Sequence, residues 1–273
     1  MVAFDIRRTA RENLKGKWGK AALITFCYVI VQFLMGFISG LFSGIPILAL
    51  LINIAYYVIS IPLGYGFLVS FIKLKRGEAV ECFDFITIAT SSVKRAWGVV
   101  GNIILKLLPL VIAFIIITML FAFSFSSFIF SSAYSVVRGS SSSGFGFLMP
   151  ICAIAFIVVS VLFFTKSLYY SLSYFILYDR PELSGKEIVE ESARLMQGNR
   201  WKQVWLYLTF IGWIILSAFT LYIGLLWLMP YILISFVIFY EDLSNQSTPL
   251  VHNSDNNDNS ETDSNDQGPI IIN

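Results

Sequence analysis

Polar and apolar positions mix through Lys20, and there the polarity stops. From Ala21 to Phe42 almost every side chain is apolar, and a second such stretch runs from Ile45 to Ile72, interrupted by Pro62 and Gly64. Crossing a hydrocarbon core about 30 Å thick takes roughly 20 apolar residues in a helix, so each stretch predicts one transmembrane helix. Val99 to Phe128 predicts a third, with a kink at Pro109, and Phe147 to Tyr178 a fourth. Residues 201–240 are too long for one crossing. A split near Tyr222–Gly224 gives a fifth span at 201–221 and a sixth at 224–240, with Pro230 inside the last.

Composition agrees. The 273 residues are 57% hydrophobic and only 13% charged, whereas soluble domains are near a quarter charged. An excess of this size needs lipid as its solvent. The net charge of +2 hides a strong segregation. Basic residues crowd the segment before the first span (Arg7, Arg8, Arg11, Lys15, Lys17, Lys20), the connection after the second (Lys73, Lys75, Arg76, Lys94, Arg95) and the one after the fourth (Arg180, Lys186, Arg194, Arg200, Lys202). The alternate connections hold Arg138 alone. Positive charge stays on the cytoplasmic side, so both termini are expected there. The apolar stretch after the charged N-terminus is too long for a cleavable leader and has no small-residue cleavage site. The serine- and glycine-rich connection Ser131–Gly146 reads as a flexible outer loop. Residues 1–243 are read as the membrane domain, and 244–273, rich in Ser, Asn and Asp without Lys or Arg, as a disordered acidic cytoplasmic tail.

A unit recurs three times: an amphipathic cytoplasmic helix, a basic cluster, a tryptophan (Trp18, Trp97, Trp201) and a two-helix membrane hairpin. The fold expected is all-α, six transmembrane helices as three hairpins. The third amphipathic segment is the clearest. Ser184 and Glu187 fit a capping box, and Ile188, Val189, Ser192, Leu195 and Met196 share one face.

The third unit carries Tyr178-Asp179-Arg180-Pro181-Glu182-Leu183, Glu191-Ser192, Leu195-Met196-Gln197-Gly198, Phe210-Ile211-Gly212-Trp213, Thr220, Ile223-Gly224, Leu226-Trp227 and Pro230-Tyr231 in order. With the opening Ala10-Arg11, Leu14-Lys15-Gly16 and Trp18-Gly19-Lys20, this resembles an uncharacterised family of polytopic membrane proteins of Gram-positive bacteria, the domain of unknown function nine-seven-five. That family is distantly similar to the membrane domain attached to some glycerophosphodiester phosphodiesterases. The resemblance spans residues 1 to about 243. It implies a bacterial plasma membrane and a six-helix fold, and brings no catalytic residues with it.

Chemistry-bearing residues are few. Cys27, Cys82 and Cys152 form no CxxC pair and the one histidine, His252, lies in the tail, so no metal site or cofactor is expected. All 17 acidic residues fit outside the spans, which removes the intramembrane carboxylate of proton-coupled pumps. Gly36, Gly40 and Gly44 stand at the spacing that lets helices approach closely, Gln32 and Asn53 are read as bonding across helices, and Lys106 as snorkelling to the cytoplasmic interface. Lys166 lies about 20 Å before Asp179 along a helix, inside the bilayer, where a charge costs about 2.5–3.5 kcal/mol. With Thr165, Ser167 and Tyr170 it marks either an internally satisfied lysine or a polar cavity for an anionic or lipid headgroup. Asp179, Glu182, Glu190 and Glu191 are the candidate cytoplasmic interaction surface. The function expected is that of a non-enzymatic accessory or scaffold protein whose partners are membrane lipids and other membrane proteins, not nucleic acid. The alternative is a transporter or lipid-handling protein using the Lys166 cavity.

Overall fold

The computed structural model describes residues 2–138 and 148–247. Every regular element among them is helical: α1 (Ala3–Leu14), α2 (Trp18–Leu41), α3 (Pro46–Arg76), α4 (Asp84–Arg138), α5 (Leu148–Ser167), a 3-10 turn (Leu168–Tyr170), α6 (Ser173–Asp179), α7 (Gly185–Met196), α8 (Arg200–Phe219) and α9 (Leu225–Ser247). Six stretches are long and apolar enough to cross a membrane, on α2, α3, α4, α5–α6, α8 and α9. The tail from 248 on and the 139–147 part of the Ser/Gly connection lie outside the described residues.

Local chemistry sets most boundaries. Pro46 opens α3, where its fixed φ suits a first turn. Gly77 closes it in the left-handed region at φ +82°, with Glu78 N–H reaching the Lys73 carbonyl at 3.0 Å. Lys73, Lys75 and Arg76 fill that last turn, where cations complement the helix dipole. At α7 the capping box forms: Ser184 Oγ accepts from Glu187 N–H at 3.4 Å, and Glu187 Oε2 accepts from Ser184 N–H at 2.8 Å. The break expected at Tyr222–Gly224 falls between Phe219 and Leu225.

Two expectations need correction. A separate helix before a third span of 99–128 does not exist: α4 is one helix of 55 residues, about 82 Å long, and it takes in residues 131–138, expected as loop. Lys94 and Arg95 mark polarity, not a stop, and no proline stands between Asp84 and Pro109. The fourth span extends from Met149 to Asp179, close to the expected bounds, but its α-helix gives way after Ser167 to a 3-10 turn before α6. There Ser167 Oγ donates to the Phe164 carbonyl at 2.8 Å and Ser171 Oγ to the Leu168 carbonyl at 2.9 Å, local bonds that compete with the helix ladder.

Burial is concentrated in the helix halves next to the basic clusters. In α2 it is confined to Ala21–Cys27, in α3 to Pro62–Leu74, and in α9 it runs from Leu228 to Leu243. The other halves expose large apolar side chains such as Phe33, Leu50, Met119 and Ile154. At Gly66 α3 lies directly against α4; a Cβ there would lie 2.1 Å from the Phe85 carbonyl oxygen. Pro62 denies α3 one N–H and frees the Val58 carbonyl, and Trp97 Nε1 of α4 donates to that oxygen at 3.1 Å. Lys75 pairs with Glu241, and Arg76 with Asp179 at 2.8 Å. Arg95 donates to the Leu177 and Pro181 carbonyls at 3.2 and 3.0 Å, and Lys17 to the Leu74 carbonyl at 3.0 Å. The cations that set the charge asymmetry thus also tie α2, α3, α4, α6 and α9 together.

Candidate functional site

The four residues grouped around Lys166 do not converge on a cavity. The Lys166 side chain is exposed on the last turn of α5, and its Nζ lies 5.9 Å from the centre of the Tyr169 ring. Arg200 stacks closer on that ring, at 4.4 Å. Thr165 Oγ1 donates to the Val161 carbonyl at 2.9 Å, and Ser167 likewise bonds within its own helix. Tyr170 packs against the core. The nearby cleft of about 430 Å³ is lined by Ser167, Ser171 and apolar residues of α5 and α8, without Lys166.

Of the four acidic residues of the candidate cytoplasmic interaction surface, three pair with cations of this chain. Asp179 pairs with Arg76 at 2.8 Å, Glu190 accepts from Lys106 Nζ at 3.1 Å, and Glu191 takes Arg194 at 2.7 Å and Arg180 at 3.2 Å. Hydrogen bonding to Arg194 holds the Glu191 carboxyl below the usual glutamate range, and bonds from Ser184 do the same for Glu187. Glu182 is exposed. Lys106 reaches α7 rather than open interface.

Among the described residues, no other helix packs against the glycines of the first span. A Cβ on Gly36, Gly40 or Gly44 would find nothing within 4 Å, and Gly44 falls in the turn after α2. Beside this ridge Ser39 Oγ donates to Asn53 Oδ1 of α3 at 3.1 Å, so Asn53 does bond across helices while its side chain stays exposed. Gln32 instead donates to Tyr28 in its own helix at 2.8 Å.

The contact that sequence reasoning missed joins α1 to α8 and α9. Arg7 Nε donates to Tyr231 Oη at 3.1 Å, and Tyr231 Oη donates to the Arg7 carbonyl at 3.3 Å. The guanidinium lies 5.4 Å from the Phe210 ring centre, about 15 Å along α8 from Arg200. Tyr231 also meets Trp18 at 6.3 Å. These groups border a half-open cleft of about 380 Å³ lined by Arg7, Arg11, Trp18, Trp213, Leu216, Ser217, Thr220, Gly224, Trp227, Leu228 and Tyr231. The sequence signal was present in the pair Arg7 and Arg11, one turn apart, but nothing local says which helices they face. Among the described residues no group of His, Cys, Asp and Glu is placed to hold a metal ion.

Searches among curated proteins and among solved structures returned no match. A family model described as Protein of unknown function (DUF975) matches residues 1–247, nearly the whole helical part. The chain belongs to the DUF975 family.

Proposed function

We propose that this is a non-enzymatic accessory protein of the bacterial plasma membrane that docks a transmembrane helix of another membrane protein along the far halves of α2 and α3. The observation that carries the reading is the open glycine ridge. In lipid, helix association rests on close backbone approach at small residues and on polar side chains that bond across the contact. Gly36 and Gly40 offer the first, with no other helix against them among the described residues. Asn53, exposed in the middle of apolar sequence, offers the second only through what its bonds to Ser39 and to the Ala49 carbonyl leave over: one amide hydrogen and one carbonyl lone pair.

In this reading both ends of the chain are cytoplasmic and the basic clusters anchor that side against anionic lipid. The chain repeats a helix-turn-span unit in parallel. Lys15-Gly16 and Gln197-Gly198 support the repeat, because they turn with nearly the same angles: Lys15 φ −58°, ψ 124° and Gln197 φ −62°, ψ 125°, then Gly16 and Gly198 at φ +79° and +77°. That register aligns Trp18 with Arg200, not with Trp201.

A photo-crosslinking amino acid at Phe37, activated in intact cells, tests the docking face. One discrete adduct heavier than the chain is expected, and it should vanish when Gly36→Leu and Gly40→Leu are combined while the amount of folded protein holds. Adducts to lipid alone, an adduct with the mass of two copies, or an adduct unmoved by the leucines overturns the reading.

A further inference from the structure

We infer that the cleft between α1 and the α8–α9 pair is a binding site for a phosphate ester with an apolar body, its phosphate on Arg7 and Arg11 and its apolar part against Trp213 and Trp227. Four observations converge. Arg7 is fixed in place: its Nε is taken by Tyr231 Oη and its face rests near the Phe210 and Tyr231 rings. Both Nη groups are left without a hydrogen-bond partner among the described residues. Arg11 follows one turn later on the same side of α1 and lines the same cleft. Among the described residues neither guanidinium is paired with a carboxylate, although Arg8, between them, is taken by Glu12 at 3.1 Å.

Two unneutralised guanidinium groups beside an aromatic wall form a site for a doubly coordinating oxyanion. Arginine offers parallel donors that match phosphate geometry, and the attraction is stronger where the walls exclude water. The lining selects the rest of the ligand. With Trp18 and Tyr231, the side chains of Trp213, Leu216, Trp227 and Leu228 make most of the remaining wall, which suits a chain or ring better than a second charge. The volume, about 380 Å³, is that of a small-ligand pocket and exceeds what a bare phosphate ion fills. The hydroxyls nearby are already engaged: Ser217 Oγ donates to the Ile214 carbonyl at 2.7 Å, and Thr220 Oγ1 donates to the Ser217 carbonyl at 2.9 Å. Recognition therefore falls on the arginines. An anionic phospholipid and a soluble organic phosphate share this chemistry.

The test uses the full chain purified in mild detergent and measured by native mass spectrometry against phosphatidylglycerol and phosphatidylcholine at equal concentration. The chain is expected to retain phosphatidylglycerol at least tenfold better than phosphatidylcholine. Arg7→Gln with Arg11→Gln should abolish that preference, whereas Lys202→Gln, removing a cation from the start of α8, should leave it intact. The double lysine variant Arg7→Lys, Arg11→Lys keeps the charge and should retain part of it, which separates loss of the site from loss of fold. If hexyl phosphate displaces the lipid at equal concentration, the source is a soluble ester and the site stands; if only the lipid binds, the source is the membrane and the site stands. Equal retention of the two lipids by the wild-type chain, or an undiminished preference in the glutamine variant with its helix content unchanged, overturns the inference.

Discussion

Val58 has a carbonyl that its own helix cannot use, because Pro62 stands where the matching N–H should be, and Trp97 supplies the donor from α4. Val58 is exposed on an apolar span, where lipid offers no donor to replace a lost one, and an acceptor left unpaired without water costs about 1–3 kcal/mol, so Trp97→Phe should destabilise the purified chain by about that much in a denaturant titration in detergent. The mechanism makes a sharper claim. Pro62→Ala restores an N–H to the Val58 carbonyl, so the loss caused by Trp97→Phe should be smaller by about 1 kcal/mol in the Pro62→Ala background. Equal losses in both backgrounds would assign the tryptophan to packing alone. Gly66 gives the complementary case of shape: a methyl carbon there would sit 2.1 Å from the Phe85 carbonyl oxygen, so Gly66→Ala forces α3 and α4 apart and should cost about 1–3 kcal/mol in the same titration. Neither contact could be read from sequence. The proline and the glycine were visible as interruptions of an apolar run, but which helix answers each of them depends on the crossing of α3 and α4.

At the scale of the element, what was legible is what short-range chemistry decides. The capping box at Ser184 and Glu187, the buried face of α7 and the break before Leu225 all follow from residues within a turn of one another. The continuity of α4 did not, because a change from charged to apolar sequence signals a change of surroundings and carries no instruction to the backbone to stop. The turn into α2 shows the contrast. Gly16 stands at φ +79° with open space around it, so Gly16→Ala should cost about 1–2 kcal/mol from backbone conformation alone, and Gly16→Asn should cost less. Thermal unfolding of the two variants side by side measures the difference. For α7 the expectation concerns pH. Glu187 and Glu191 are both held below the ordinary value of 4.5 in the folded chain. Their contribution is therefore fully present above about 4.5 and is lost only as pH falls through the depressed values. Protection factors of the α7 amides should stay level from pH 7 to 5 and fall on further acidification. A decline beginning above pH 5 would place the sensitive group elsewhere.

The arrangement of the whole molecule is where sequence reading reached least far, since Arg7 and Tyr231 meet across a separation of 224 residues. Yet two other contacts bear on the coarsest expectation of all. Lys17, just before α2, donates to the Leu74 carbonyl, and Lys75, the next residue, pairs with Glu241 towards the end of α9, so the start of α2, the end of α3 and the end of α9 share one neighbourhood. An odd number of crossings would draw the chain's two ends to opposite faces of the membrane. An even number brings them together, and six apolar helices satisfy that. The proposed topology takes the side from the basic residues: those flanking α2, α3 and α8 would share the cytoplasmic face, and a position in the Ser/Gly connection such as Ser141 would fall on the other. A reporter active only outside the cell, fused at Ser141, should therefore be active, and the same reporter fused after Leu243 should be silent. A fluorescent protein that folds only in the cytoplasm should give the reverse. Activity of the same reporter at both positions would mean an even number of crossings between them, and would remove the basis for reading α1, α7 and the basic clusters as belonging to a single face.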